Sequence, residues 1–144
     1  ILPTDRQLTV VTNSLPIAAM LANRDTLTVH LVGGRVRGRT QATVDHAALE
    51  YLRGVFVDIA FLGTNGFSVE RGLTTPDSAE AAVKSAFIGA ARRSVLLADH
   101  TKYGSDHFAH FGDLAQVNTL VTDSELPNDA VLELEAAGPK VVRA

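Results

Sequence analysis

The strongest constraint on this chain is an alternation of short β-branched apolar runs with helical patterns. LTVVT (8–12), LTVHLV (27–32), VFVDIAFLG (55–63), SVLLAD (94–99), NTLVTD (118–123) and KVVR (140–143) read as near-continuous apolar strands, the type buried on both faces. Helices are predicted between them at roughly 14–23, 43–53, 77–92 and 127–137. In the third, Ala79, Ala82, Val83, Ala86, Phe87 and Ala90 share one face, with Glu80 and Lys84 opposite. Asp77 followed by Glu80 gives that helix a capping-box-like start. Such alternation implies right-handed crossovers and an α/β fold, with a mainly parallel sheet and helices on both faces. Small ligands of such sheets bind at the carboxyl ends of the strands.

Bulk properties narrow the function classes. A length of 144 residues is expected to form one domain with its own core. A formal charge of −3 without a basic stripe disfavours nucleic-acid binding by this polypeptide itself. Cysteine is absent, which removes disulfides, thiol catalysis and Cys-ligated zinc, and points to a cytoplasmic setting. No apolar run approaches the ~20 residues of a membrane span. The pattern opens mid-way at Ile1, so a fragment truncated at its N-terminus is expected.

Five constellations could meet a small anion, and each has a plainer structural reading. Thr12-Asn13-Ser14 lies between a strand and a helix, where hydroxyl and amide groups serve an anion or simply cap the helix. Gly33-Gly34 precedes Arg35, Arg37 and Arg39, a close-approach loop with a clamp, or a tight turn with solvated arginines. Gly63-Thr64-Asn65-Gly66, close behind Asp58, can aim backbone N–H groups into a cleft or be an ordinary turn. Asp77, Glu80 and Lys84 offer a cap and a helix-surface ion pair, or a carboxylate base facing a cleft. Lys102, just past a buried strand, is a point charge for a phosphate or a surface lysine. His100, His107 and His110, in the irregular stretch 100–113 with Asp99, Asp106 and Asp113 nearby, could make an oxygen/nitrogen metal site, but His107-x-x-His110 lacks zincin spacing, and hydrogen-bonded or solvated histidines are the plainer reading. No metal and no cofactor is assigned.

At these residues the chain resembles the effector-binding C-terminal part of DeoR-family bacterial transcriptional repressors. LTVVTNSLPIA (8–18), LVGGRVRG (31–38), VDIAFLGTNGFSVERGLTTPDSAEAAVKSAF (57–87) and LLADHTKYG (96–104) carry the resemblance, in the family's order. It implies a fold similar to that of ribose-5-phosphate isomerase and the CoA-transferases. It also implies a phosphorylated sugar or polyol as effector, a homo-oligomer, and operator DNA contacted only through a winged helix-turn-helix domain absent here. Carried over by position, it makes Thr12, Asn13, Gly33, Gly34, Asn65, Gly66, Asp77, Lys84 and Lys102 pocket residues, with Ser14 beside them at the strand–helix corner. The phosphate would sit around Thr12–Ser14 and near Lys102.

Two departures follow from the resemblance. The isomerases carry an acidic Gly-Ala-Asp-Glu turn where this chain has Gly63-Thr64-Asn65-Gly66, and a catalytic glutamate where it has Val83. A sensor without catalytic residues is therefore expected. The alternative is an isomerase-like enzyme using Glu80 or Asp77 as base, and a vestigial oligomerisation domain is a third reading. Family members also carry a Ser-Gly-Thr-Thr phosphate loop and a helix upstream of Leu8, so Ile1–Gln7 is expected to be that helix's tail.

Overall fold

A computed structural model describes residues 5–144. The helix tail expected at the N-terminus lies outside the described residues in its first four positions, and Asp5–Gln7 are not helical. The chain divides into two compact units, Ile1–Gly54 and Val55–Ala144.

The first unit pairs β1 (Leu8–Thr12) in parallel with β2 (Leu27–Leu31), Leu8 opposite Leu27 and Thr12 opposite Leu31. The crossover is α1 (Leu15–Leu21), which buries Ala18 and Leu21. An antiparallel ribbon follows, β3 (Arg35–Arg37) against β4 (Ala42–Val44), then α2 (His46–Arg53), burying Ala48 and Leu52. Gly34 makes the entry to β3 possible. Its φ is +135°, and a Cβ there would stand 2.3 Å from the Val44 carbonyl oxygen.

The second unit holds a four-stranded parallel sheet in the order β11-β10-β8-β5. Its strands are β5 (Val57–Gly63), β8 (Ala91–Leu97), β10 (Thr119–Thr122) and β11 (Lys140–Arg143). A second sheet joins β6 (Gly66–Ser68), β7 (Gly72–Thr75) and β9 (Ala109–Gly112), all antiparallel. Helix α3 (Ser78–Ala90) packs against strands of both sheets, and α4 (Asn128–Ala137) against β11. One core unites Leu62, Leu96 and Leu120 from the parallel sheet, Phe67, Leu73 and Phe111 from the antiparallel one, and Ala81, Ile88, Ala130 and Leu134 from the helices.

The α/β reading holds, with a mostly parallel central sheet. The expectation that its strands are buried on both faces does not. Register places Ile59, Phe61 and Leu97 on the face opposite Leu62 and Leu96, with Val142 reached through Val121. All four are exposed, Phe61 by 64 %. An apolar run shows that a strand is apolar, and cannot tell a covered face from an open one. The stretch 100–113 is also more regular than expected, with a 3-10 turn at His100–Lys102 and β9 within it.

Candidate functional site

In the second unit, β5 and β8 are paired neighbours with Gly63 opposite Leu97, so the chain leaves both at one rim of the sheet. The turn after β5 is built by hydroxyls. Thr64 Oγ1 donates towards the carbonyls of Gly66 (2.8 Å) and Thr74 (3.0 Å), which folds Gly63–Gly66 back onto β7. Gly66 is required there, because a Cβ would lie 2.0 Å from the Ser105 carbonyl oxygen. The Thr75 hydroxyl donates to Asn65 Oδ1 at 2.9 Å, and the Asn65 carbonyl accepts from His107 Nε2 at 3.2 Å. Asn65 is thereby fixed from two sides.

Asp77 caps α3, its Oδ1 accepting from the Glu80 N–H at 2.9 Å. The exposed-face reading of Glu80 and Lys84 is corrected by the structure. Glu80 is buried, and the Lys84 ammonium reaches the rim, where it donates to the Gly63 carbonyl at 2.5 Å above the Phe111 ring. The buried stripe runs through Glu80, Ala81, Val83 and Ile88, while Ala82 faces solvent. Alanine spacing carried no weight here, because alanine is nearly indifferent to which side it faces. Burial holds the Lys84 ammonium below the usual lysine value, and the Glu80 charge offsets part of that.

Beyond β8, Asp99 Oδ1 accepts from the Thr101 N–H at 3.0 Å and opens the 3-10 turn that carries Lys102. Asn65, Gly66, Asp77 and Lys84 are thus drawn together, and Lys102 sits on the adjoining loop. The predicted residues of the first unit form a separate cluster. Thr12 Oγ1 accepts from the Ser14 N–H (3.1 Å), and Asn13 Nδ2 donates to the Thr43 carbonyl (3.0 Å). Ser14 Oγ accepts from the Ile17 N–H (3.4 Å), the helix-capping reading of this residue. Gly33 and Gly34 lie beside it, through Val32 N–H to the Thr12 carbonyl at 2.8 Å. Of the three arginines, Arg35 is spent on Asp45, 2.7 Å away.

The histidines do not gather. His107 supports Asn65, His110 pairs with Asp113 at 3.1 Å, and His100 stands with Asp99 and Asp123, the one group of three such ligand side chains within 4.8 Å of one another among the described residues. Both ring nitrogens of His100 face carboxylates, Nδ1 towards Asp123 and Nε2 towards Glu125. Asp123 and Thr75 escaped the sequence reading. Asp123 lies 23 residues from its partner, and nothing local marks it. Thr75 was readable only as part of a turn-rich stretch. A cavity of about 280 Å³, lined by Glu70, Arg71, Thr74, His107, Phe108 and His110, lies on the antiparallel sheet and takes in two of the histidines but none of the predicted effector-pocket residues.

Comparison with known proteins agrees with this architecture. Residues 1–124 match the family model described as the DeoR C terminal sensor domain. The chain is 39 % identical over 140 residues to the HTH-type transcriptional regulator GlpR of Haloferax volcanii, covering 97 % of this chain and 54 % of that protein. It is 33 % identical over 126 residues to the HTH-type transcriptional repressor GlcR of Bacillus subtilis, 88 % of this chain and 48 % of the other. It is also 29 % identical over 120 residues to the glycerol-3-phosphate regulon repressor of Escherichia coli, covering 83 % and 48 %. The chain therefore spans about half the length of these relatives. With the family model matched over most of its length, the chain belongs to the DeoR C-terminal sensor-domain family.

Proposed function

We propose that this chain is the non-catalytic sensor of a transcriptional repressor, and that its effector is a phosphorylated sugar or polyol. The observation that carries the reading is the rim of the second unit, which offers an amide turn and two lysines at the carboxyl ends of paired parallel strands. The backbone of Lys102 is bonded within its turn, but its ammonium forms no hydrogen bond or salt bridge among the described residues, which leaves it for an anion. Asn65 and Asp77 then meet sugar hydroxyls, and Lys84 holds the turn through Gly63. On the first unit, the corner at Thr12–Ser14, with Gly33 and Gly34, is a separate candidate contact for the effector. Effector binding would bias an equilibrium between arrangements of a homo-oligomer, and so of DNA-binding heads carried elsewhere in the protein. Among the described residues no helix is long and apolar enough to cross a membrane.

Catalysis as an aldose–ketose isomerase would need a base beside the reacting carbon. Asp77 is engaged as the helix cap and Glu80 lies buried behind Lys84, with Val83 between them in sequence. Thermal melting against a panel of sugar phosphates and their unphosphorylated parents tests the proposal, since a ligand of the native state raises the melting temperature. The expected result is a shift with one phosphorylated compound, absent for its parent and lost in Lys102→Ala, without turnover. Conversion of any pentose or hexose phosphate would replace the sensor with the isomerase, and a flat panel would favour an oligomerisation domain.

A further inference from the structure

The carboxyl ends of β8 and β10, neighbours in the sheet, open into two acidic loops, and one imidazole joins them. The His100 N–H donates to Asp123 Oδ2 at 3.0 Å, and its Nδ1 lies 3.0 Å from both Asp123 carboxylate oxygens. On the other side of the ring, Nε2 lies 3.2 Å from Glu125 Oε2. Asp123 in turn accepts from the Glu125 N–H at 2.9 Å, which folds the second loop around the ring. The turn that presents Lys102 is tied to this group, since the Lys102 N–H donates to the Asp99 carbonyl and the Tyr103 N–H to the His100 carbonyl.

We propose that His100, as an imidazolium, is a positioning residue that latches the Lys102 loop to the β10 loop and makes anion binding at this rim depend on pH. The inference rests on the reading of Lys102 as an anion contact. Its chemistry is simple. A neutral imidazole donates from one nitrogen only, so with carboxylates on both sides its bare nitrogen must face an oxygen lone pair. Only the doubly protonated ring satisfies Asp123 and Glu125 together. The charged groups around it are Asp99 from its own loop and Asp123 and Glu125 from the β10 loop, with Lys102 across the turn beside Asp99. The hydrogen bond to Asp123 raises the His100 pKa above its usual value, with the surrounding carboxylate charges adding to it against partial burial. The latch is therefore closed below that raised value and opens as pH climbs through it.

Sulfate is the suitable probe, because its charge stays constant between pH 5.5 and 8.5 while that of phosphate does not. Calorimetric titration of the protein with sulfate should show affinity falling on the order of tenfold across the range in which NMR records the His100 ring titrating. His100→Gln should flatten that dependence, and Lys102→Ala should abolish binding at every pH. Asp123→Asn separates the latch from simple attraction between the imidazolium and the anion. Removing a negative charge should strengthen binding if charge alone matters, whereas the latch requires that it weaken. An unchanged pH slope in His100→Gln, or tighter binding in Asp123→Asn, overturns the latch and leaves the sensor reading in place. Absence of sulfate binding at all pH values counts against the anion rim itself. The latch is then still read without ligand, from amide exchange at Thr101–Tyr103, and protection that does not change as His100 titrates overturns it.

Discussion

Lys84 and the pair His100–Asp123 are where single side chains decide most. A half-buried ammonium that spends itself on a backbone carbonyl is costly to desolvate, so its presence calls for a reason other than stability. Lys84→Met keeps the stem over Phe111 and removes the charge. We expect it to raise stability by about 0.5–1 kcal/mol in thermal or urea unfolding while weakening effector binding, and a variant that loses both would mean the bond to Gly63 holds the fold. The pH profile of stability follows from two opposite shifts. Asp123, held down to about 2 mainly by the His100 backbone N–H, stabilises above the ordinary carboxylate range, and that contribution is lost as pH falls from about 4 towards 2. His100, raised, contributes fully below its ordinary value, and that contribution is lost as pH rises through the folded-state value. The melting temperature should therefore decline on both flanks, and Asp123→Asn should remove much of each decline. In the sequence the placement of Asn65 and Lys102 on loops just past apolar strands was legible, because β5 and β8 are marked by their apolar runs. Glu80 was misread as an exposed residue, since burial of a carboxylate depends on what packs against the helix.

Elements divide along the same line. The parallel strands and all four helices were visible because each carries a long pattern of apolar residues with a cap or a stop. The ribbon β3–β4 and the small sheet β6-β7-β9 were not, because short strands such as Gly66-Phe67-Ser68 carry neither an alternation nor a continuous apolar run. Their pairing is enforced from outside, by Thr64 and Thr74 bridging backbone carbonyls and by glycines at close approaches. Gly34→Ala should accordingly cost about 2–4 kcal/mol in chemical unfolding, since it adds both an unfavourable φ and a collision with the Val44 carbonyl. Asp77→Ala should cost about 1 kcal/mol through the lost cap on α3. A smaller loss would show that the first turn finds another acceptor.

At the scale of the whole chain, the open face of the parallel sheet sets behaviour in solution. Ile59 and Phe61 stand on β5, an edge strand of its sheet among the described residues, a combination that invites sticking between molecules. Phe61→Lys should reduce self-association in light scattering while moving stability by no more than about 0.5 kcal/mol, and unchanged scattering would place the sticky surface elsewhere. The order of strands in that sheet has one more consequence. From one edge to the other it runs β5, β8, β10, β11, which is also the order in which they occur along the chain. Each new strand is laid beside the one before it, and none has to be threaded between two already in place. As the polypeptide emerges from the ribosome, this sheet can grow by simple addition from its first strand, with every step templated by a neighbour already synthesised.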